Sequence, residues 1–272
     1  MNCKNTGKYD TIDNCKAIQH IPICYLSITQ YIVMSRIVLT QIPQHSVKPV
    51  PQLAELLSSH RREKMKRYKN AADRALCLIT GLAVIEACAD MYGASSADVT
   101  LVTERNHSPY ALCKGKKMFA SISHSDNYAA VASAISPCGI DIEHKNRSFG
   151  TLRAAVHYFH PNEQRLLYDT ANDYQSELFY LIWTVKEAYL KYLGIGLAKR
   201  LDSFFVNEED GCIHIYDEEY AAFSEASVLS FNYGNNTVSA VSDSDIESIN
   251  AVSYDEIIRR INTLSKQKGI SQ

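Results

Sequence analysis

The chain contains 272 residues, of which 28 are Lys or Arg and 30 are Asp or Glu, and its hydrophobic fraction is 46%. These values are typical of a globular protein that buries one large core or two smaller ones. Because the formal net charge is only −2, no overall basic field would draw the chain to nucleic acid or to an anionic membrane.

Residues 1–33 differ from the rest of the chain. They contain three cysteines and most of an apolar run whose length and polar interruptions do not suit a membrane span or a signal peptide. An alternating pattern suited to a first strand begins at Met34. This pattern indicates a functional start at Met34, with residues 1–33 as a leader, and a genuine N-terminal extension is the alternative.

The next elements follow from hydrophobic periodicity and turn residues. Helices are predicted near 53–57 and over 71–89, 151–159, 161–169 and 173–193, the last ending at Gly194. Strands are predicted over 100–103, 118–123, 128–133, 139–143, 203–206, 212–216, 226–233 and 237–242, and a charged helix follows Asp255. Helices and strands thus recur in two sets, before and after about Pro137, which favours a two-lobed α+β architecture.

Eight cysteines are scattered along the chain, and none belongs to a Cys-x-x-Cys pair. Cys77, Cys88 and Cys138 lie within apolar runs, which favours reduced core thiols over a disulfide framework. A cytosolic location is therefore the default expectation.

Two carboxylates stand two positions apart on the predicted strand 139–143. Asp141 and Glu143 point to one face of that strand, where they repel each other unless a cation lies between them. Oxygen ligands without nearby Cys or His favour magnesium, manganese or calcium over zinc. A solvated strand face is the commoner meaning of an isolated Asp-x-Glu.

A third carboxylate lies in the predicted helix 173–193. Trp183, Glu187 and Lys191 are spaced four residues apart and form one stripe on a mostly apolar helix. Charges on a largely buried helix are usually paired or bound to a ligand. A surface Glu–Lys pair is the alternative interpretation.

Several polar residues before Pro137 suit a phosphate group. His124 lies in the Ser-Ile-Ser-His-Ser sequence of residues 121–125, whose hydroxyls, backbone N–H groups and imidazole suit an oxyanion. The densest basic stretch is residues 60–69, which include Arg61, Lys64 and Arg67. A run of charges like this one usually forms a solvated helix face. Arg74 begins the predicted apolar helix, so we expect it to be partly covered.

Taken together, these motifs resemble the 4′-phosphopantetheinyl transferase family, in its longer, surfactin-synthetase-activating type. Residues 139–143, Gly-Ile-Asp-Ile-Glu, match the family's Gly-(Ile/Val)-Asp-(Ile/Val)-Glu. Residues 183–191, Trp-Thr-Val-Lys-Glu-Ala-Tyr-Leu-Lys, match its Trp-(Ser/Thr)-x-Lys-Glu-(Ala/Ser)-x-x-Lys. The similarity covers about 34–258 and includes the Ser-Ile-Ser-His-Ser sequence shortly upstream.

The resemblance implies an α+β fold of two similar α/β lobes in a pseudo-twofold arrangement, each a small, mainly antiparallel sheet packed with helices. Residues 34–138 would form the N-terminal lobe on the coenzyme A side. Residues 139–258 would form the C-terminal lobe with the metal and catalytic residues, and 259–272 would be a tail. A cytoplasmic monomer is implied, with neither nucleic acid nor membrane as a partner.

The resemblance also implies the reaction and its residues. The 4′-phosphopantetheine moiety of coenzyme A would pass to a serine of an apo acyl or peptidyl carrier protein, in a Mg²⁺-dependent step that releases 3′,5′-ADP, with Mn²⁺ as the alternative metal. Asp141, Glu143 and Glu187 would bind the metal. Glu187 would accept the serine proton, directly or through a water molecule. The other two catalytic residues would be Lys191, which stabilises charge on the diphosphate as 3′,5′-ADP leaves, and His124, which contacts phosphate oxygens. The residues expected to contact coenzyme A are Arg61, Lys64, Arg74, Ser123, His124 and Lys191.

The chain departs from the family pattern in one loop, where residues 107–109 are His-Ser-Pro instead of Gly-Lys-Pro. The loop lysine is therefore missing, and the lysines that could compensate are Lys114, Lys116 and Lys117. The segment expected to dock the carrier protein contains Arg147, Arg153, His157, Tyr158 and Phe159. For Tyr158 and Phe159 the alternative is a position in the hydrophobic core. A magnesium-dependent phosphohydrolase and a binding module without activity are the competing functions.

Overall fold

The computed structural model describes residues 35–43, 51–103, 108–195 and 198–266. The strands are β1 (Ser35–Gln41), β2 (Val99–Val102), β3 (Tyr110–Cys113), β4 (Lys116–Ser125), β5 (Tyr128–Ala134), β6 (Cys138–His144), β7 (Phe204–Glu209), β8 (Cys212–Asp217), β9 (Ala222–Phe223), β10 (Ser227–Tyr233), β11 (Asn236–Ser242) and β12 (Ser248–Ala251). The helices are α1 (Pro51–Ala54), α2 (Ser59–Arg67), α3 (Ala71–Met91), α4 (Phe149–Val156), α5 (Pro161–Asp169), α6 (Asn172–Leu193) and α7 (Tyr254–Lys266).

A six-stranded sheet with the order β12-β1-β5-β4-β3-β2 forms one half of the molecule. Its strand pairs are antiparallel except for the parallel pair β1–β12. The apolar helix α3 packs against this sheet and supplies most of its core, with Ile79, Leu82 and Ile85 fully buried. The C-terminal elements β12 and α7 return to this half, where α7 packs on α3.

The other half has helix α6 at its centre. One side of α6 lies on a three-stranded antiparallel sheet with the order β10-β11-β6. A second small sheet, β7-β8-β9, contributes Phe204, Val206 and Ile215 to the core around α6. Gly194, with φ of +69°, ends the helix in the left-handed conformation that glycine adopts without strain.

The predicted fold class is confirmed, since each half packs one long helix, α3 or α6, against mainly antiparallel sheets. Three described strands were not predicted, and one of them, β9, has only two residues. Strand β3 is only four residues long, and its signal is the turn before β4, where Lys114 and Gly115 both have positive φ. Strand β12 is short and polar, and it forms because β1 offers it a parallel edge.

Other expectations concern the chain ends and lobes. The leader 1–33 and the last residues of the tail lie outside the described residues. The lobe boundaries at 138 and 258 stay predictions, while β12 and α7 pack on the half that contains β1 and α3. The thiols of Cys77, Cys88 and Cys138 are free and buried, as predicted, and so is Cys113. Within the described residues, every helix is too short or too polar to cross a membrane.

Candidate active site

The two halves meet where β4 lies beside β6, and serine hydroxyls join the two strands. Ser121, Ser123 and Ser125 alternate along β4 and therefore share one face. Ser121 Oγ accepts a hydrogen bond from the backbone N–H of Ile140 at 3.0 Å. Ser123 Oγ donates to Asp141 Oδ1 at 2.6 Å, and Ser125 Oγ donates to Glu143 Oε2 at 2.8 Å. The Ser-Ile-Ser-His-Ser sequence thus orients both carboxylates of β6.

Close packing of β6 on α6 brings a lysine to the same carboxylate. A Cβ atom at Gly139 would lie 1.9 Å from the carbonyl oxygen of Ala188, so only glycine permits this approach of strand and helix. One turn further along α6, Lys191 Nζ donates to Asp141 Oδ1 at 2.6 Å and to the carbonyl oxygen of Ile140 at 3.0 Å.

Asp141 is the most enclosed of the three carboxylates predicted to bind a metal. Its residue surface is 4% exposed, and while Oδ1 accepts from Ser123 and Lys191, Oδ2 is buried without a hydrogen-bond partner. A buried carboxylate oxygen without a partner costs free energy. It therefore marks a position at which a cation would stabilise the site.

Negative charge is crowded at this point. Desolvation raises the pKa of Glu143, and the charge of Asp141 raises it further, against the opposing effects of Ser125 and Lys191. Desolvation also raises the pKa of Glu187, with Asp141 again adding to the shift and Lys191 opposing it. The structure therefore brings Asp141, Glu143, Glu187 and Lys191 into one electrostatically coupled group.

The donor set of this group fits a hard divalent cation. Three carboxylates without Cys or His are the ligands that magnesium and manganese prefer, and a divalent charge would relieve both the crowding and the unpartnered Asp141 Oδ2. Among the residues that the structure describes, no three Asp, Glu, His or Cys side chains already converge as a formed metal site. The ammonium of Lys191 lies on Asp141 Oδ1 instead.

His124 lies on the opposite face of β4 from the three serines, and it is exposed. Desolvation by the atoms around the ring lowers its pKa, the charges of Lys64, Lys191 and Arg61 lower it further, and Asp73 opposes them. The imidazole is therefore neutral at pH 7. It stands between positive groups from both halves of the molecule, which suits a hydrogen bond to an anionic ligand.

The arginines predicted to contact coenzyme A take different positions. Arg61 is 7% exposed, and its guanidinium donates to the carbonyl oxygen of Cys77 at 2.9 Å and to the hydroxyl of Thr80. It belongs to the packing of α2 on α3 and not to a solvated helix face. The expectation that Arg74 is partly covered is wrong: this residue is exposed, since its guanidinium turns back to the carbonyl oxygens of Tyr68 and Lys69 in the solvated turn before α3.

The altered loop reaches the end of α6. Ser108 Oγ donates to the backbone carbonyl oxygen of Lys191 at 2.7 Å, while His107 lies outside the described residues. The lysines proposed to compensate lie at the far end of β4. Lys117 precedes Ser123 by six residues, about 20 Å along an extended strand, and its ammonium lies over the Tyr110 ring at 4.5 Å from the centroid.

The expected docking segment divides between surface and core. Tyr158 is 68% exposed, and Arg147, Arg153 and His157 are exposed. Phe159 is fully buried and contacts the rings of Phe179 and Trp183. Its expected role as an exposed anchor is therefore wrong, and the core alternative holds.

Comparison with known proteins identifies the family of the chain. The model of the 4′-phosphopantetheinyl transferase superfamily matches residues 137–241, which include β6 and the whole of α6. A 4′-phosphopantetheinyl transferase of Bacillus subtilis is 33% identical over 160 residues, covering 58% of this chain and 70% of that protein. The chain belongs to the 4′-phosphopantetheinyl transferase superfamily. The 4′-phosphopantetheinyl transferase Sfp of Bacillus subtilis strain 168 is 29% identical over 205 residues, 74% of this chain and 90% of the relative.

One solved structure, the holo-(acyl-carrier-protein) synthase of Thermotoga maritima, is similar with a TM-score of 0.34 and 22% identity over 39% of this chain and 62% of that one. The superfamily match and the Bacillus subtilis relatives confirm the family resemblance seen in the sequence, and the chain is a phosphopantetheinyl transferase.

Sequence reasoning missed some residues that build the site of this transferase. Ser121 and Ser125 were considered only as hydroxyls that suit an oxyanion and not as partners of β6, although their spacing of two from Ser123 on a strand indicates that all three share a face. Gly139 was read only as part of a motif. Its contact with α6 depends on how strand and helix pack, and no local pattern reveals that distance.

Proposed function

We propose that this transferase moves the 4′-phosphopantetheine moiety of coenzyme A to a serine of an apo acyl or peptidyl carrier protein and releases 3′,5′-ADP. The proposed metal is Mg²⁺, with Mn²⁺ as the alternative, and its ligands are Asp141, Glu143 and Glu187. The observation that carries the proposal is the coupled carboxylate group with its buried, unpartnered Asp141 Oδ2.

The reaction needs little covalent chemistry from the protein. The carrier serine oxygen attacks the phosphorus that bears pantetheine, and the bond from that phosphorus to the bridging oxygen of the diphosphate breaks. The electron pair leaves with 3′,5′-ADP. A divalent cation supplies Lewis acidity and neutralises developing phosphate charge when it is bound.

Each residue of the group has a proposed task. Glu187 accepts the proton of the attacking serine, directly or through a water molecule, which its raised pKa favours at neutral pH. Lys191 stabilises the charge that develops on the diphosphate, since its ammonium already lies among the carboxylates. Neutral His124 donates a hydrogen bond to a phosphate oxygen.

The coenzyme A contacts follow from the residues that surround His124. We propose Lys64, His124 and Lys191 as phosphate contacts, because Lys64 and Lys191 act electrostatically on the imidazole. Ser123 stays in the proposed set, although its hydroxyl lies on the other face of β4 and already donates to Asp141. Arg74, exposed at the start of α3, stays in the proposed set. Arg61 is also retained, through its effect on His124, although its donors Nε and Nη2 already bind backbone and hydroxyl oxygens of the protein.

We further propose a cytoplasmic monomer. Free thiols at Cys77, Cys88, Cys113 and Cys138 support a reducing compartment. A single chain supplies both sides of the site, since Ser123 comes from one half and Asp141 and Lys191 from the other.

Intact-mass spectrometry tests the reaction. Apo acyl carrier and apo peptidyl carrier proteins are each incubated with coenzyme A, Mg²⁺ and the full chain, with EDTA in a parallel reaction. We expect the mass of one phosphopantetheine to be added to at least one carrier, and the gain to be lost with EDTA and in Glu187→Gln. The control is Glu177→Gln, an exposed residue of the same helix.

The other outcomes identify the competing functions. Release of 3′,5′-ADP without a carrier would indicate a hydrolase. Coenzyme A binding by calorimetry without a mass gain on either carrier would indicate a binding module.

A further inference from the structure

The small sheet β7-β8-β9 has two different faces. Phe204, Val206 and Ile215 point into the core beneath it. On the other face Phe205 of β7 pairs with Tyr216 of β8, and Tyr216 pairs with Phe223 of β9. One aromatic ring from each strand thus stands in register across the outer face.

These rings form a continuous surface. Ring centroids are 5.2 Å apart for Phe205 and Tyr216 and 5.1 Å apart for Tyr216 and Phe223. His160 lies 4.8 Å from Phe205 at one end, and His214 lies 6.1 Å from Phe223 at the other. We call these five residues the aromatic row. Phe223 is 51% exposed and His214 is exposed, Phe205 and Tyr216 are half-buried, and His160 is buried, so the row opens to solvent at the end that contains Phe223.

The border of the aromatic row is strongly acidic. Residues 204–225 include seven Asp and Glu and no Lys or Arg, in a chain whose net charge is only −2. Glu209 lies four residues after Phe205 on β7 and therefore on the same face. In the described part of the chain, no ion pair involves Glu209 or its neighbours in the segment, Glu208, Asp210 and Glu225, whereas Asp217, Glu218 and Glu219 pair with Lys199 or His160.

The same segment already binds one cation of the chain itself. The ammonium of Lys199 pairs with Asp217 at 3.0 Å and with Glu219 at 2.7 Å. It also lies over the ring of Tyr220, 5.7 Å from the centroid. Carboxylates and an aromatic ring of this segment thus already bind one cation, at residues next to the aromatic row in the sequence but outside it.

We propose that the aromatic row binds a basic segment of a partner protein. Arg or Lys side chains of that segment stack on Phe205, Tyr216 and Phe223, while their charges pair with the acids that border the row. An anionic partner, such as an acidic carrier protein, nucleic acid or an anionic membrane, is repelled by this border. The surface is thus separate from the transferase reaction, and the inference does not rest on it.

Fluorescence anisotropy with the full chain tests the inference. The probe is a labelled nine-residue peptide that alternates Arg and Ser, and a peptide with Glu in place of Arg is the control. We expect the Arg peptide to bind and the Glu peptide not to bind. Binding should weaken when ionic strength is raised, because exposed charges are screened.

Two variants separate the rings from the charges. Phe223→Ala keeps every charge and should weaken binding of the Arg peptide about 10-fold, as expected for the loss of a cation–π contact. The triple variant Glu208→Gln/Glu209→Gln/Asp210→Asn should weaken it by a similar or larger factor. Its matched control, Glu55→Gln/Glu63→Gln/Asp169→Asn, removes the same charge from exposed positions elsewhere and should leave binding unchanged.

Several results would overturn the inference. Equal binding of the two peptides, or equal loss in both triple variants, would mean that no specific basic site exists. If Phe223→Ala keeps wild-type affinity for the Arg peptide, the aromatic rings do not contribute and the binding is only general electrostatic attraction. If sedimentation shows self-association that Phe223→Ala abolishes, the occupant is a second copy of this chain. Carrier modification measured alongside should be unchanged in Phe223→Ala, so failure here leaves the transferase proposal intact.

Discussion

The contact between Gly139 and α6 gives the sharpest prediction about this molecule. In Gly139→Ala the new Cβ would lie 1.9 Å from Ala188 O and 2.5 Å from Tyr192 N. Real Cβ contacts do not fall below 3.0 Å, so helix and strand must separate by at least 3.0 − 1.9 = 1.1 Å. Both obstructing atoms belong to the backbone, so no side-chain rotation relieves the clash.

Two consequences follow from that separation. Forcing extra volume into a packed contact costs about 1–3 kcal/mol, which lowers the melting temperature by about 3–10 °C in a chain of this size. Glu187 and Lys191 move with α6 away from Asp141, which is on β6. A displacement of about 1 Å in a catalytic group can reduce the rate about 100-fold, so we expect transfer activity to fall more steeply than stability.

Thermal unfolding and initial rates of carrier modification measure both effects. Gly150→Ala is the matched control, because its Cβ meets only Ser148 Oγ, at 3.9 Å, and alanine favours the helix α4. The control should be neutral or slightly more stable, with unchanged activity. Wild-type melting temperature and rate in Gly139→Ala would refute the reasoning that this contact sets the site geometry.

Three further predictions concern buried and ionisable groups. Lys186 pairs with Glu163 at 2.8 Å, and both are almost fully buried, so Lys186→Met should cost about 3–5 kcal/mol by leaving a buried carboxylate without its counter-charge, held only by the backbone N–H groups of His160 and Val206. Urea denaturation should show that Glu163→Gln/Lys186→Met recovers part of this loss, and additive losses would contradict it. The pKa values of Glu143 and Glu187 are raised in the folded chain, so without metal the folded state holds protons on these groups more tightly than the unfolded state does. Their contribution to stability is therefore complete below the ordinary glutamate pKa, and it is lost as pH rises through the raised pKa of the folded state. Protons therefore compete with Mg²⁺, and the rise in melting temperature caused by Mg²⁺ should grow as pH increases above the ordinary pKa of a glutamate. A pH-independent rise, or an equal rise in Glu143→Gln, would exclude this site. Burial raises the pKa of the Cys138 thiol to about 12, so peptide mapping should find it unmodified by iodoacetamide in the folded chain and modified in urea, with partly exposed Cys212 as the reference.

The sequence by itself determined the family, the fold class and the residues of the carboxylate group. Asp141 and Glu143 share a strand face, and Glu187 and Lys191 share a helix stripe, because period and spacing place side chains within a single element. Gly194 as the helix end and the buried thiols also follow from local composition. These inferences need no knowledge of which elements touch.

Only the tertiary structure decided how those elements meet. It joins Lys191 to Asp141 across the Gly139 contact, gives Ser123 to Asp141 as a donor, buries Arg61 and leaves Arg74 exposed. Burial and long-range pairing depend on the whole packing arrangement, which balances hydrophobic area against the hydrogen bonds of every buried polar group. Periodicity along the chain does not reflect that balance, so the partner of each charged group became clear only in the three-dimensional structure.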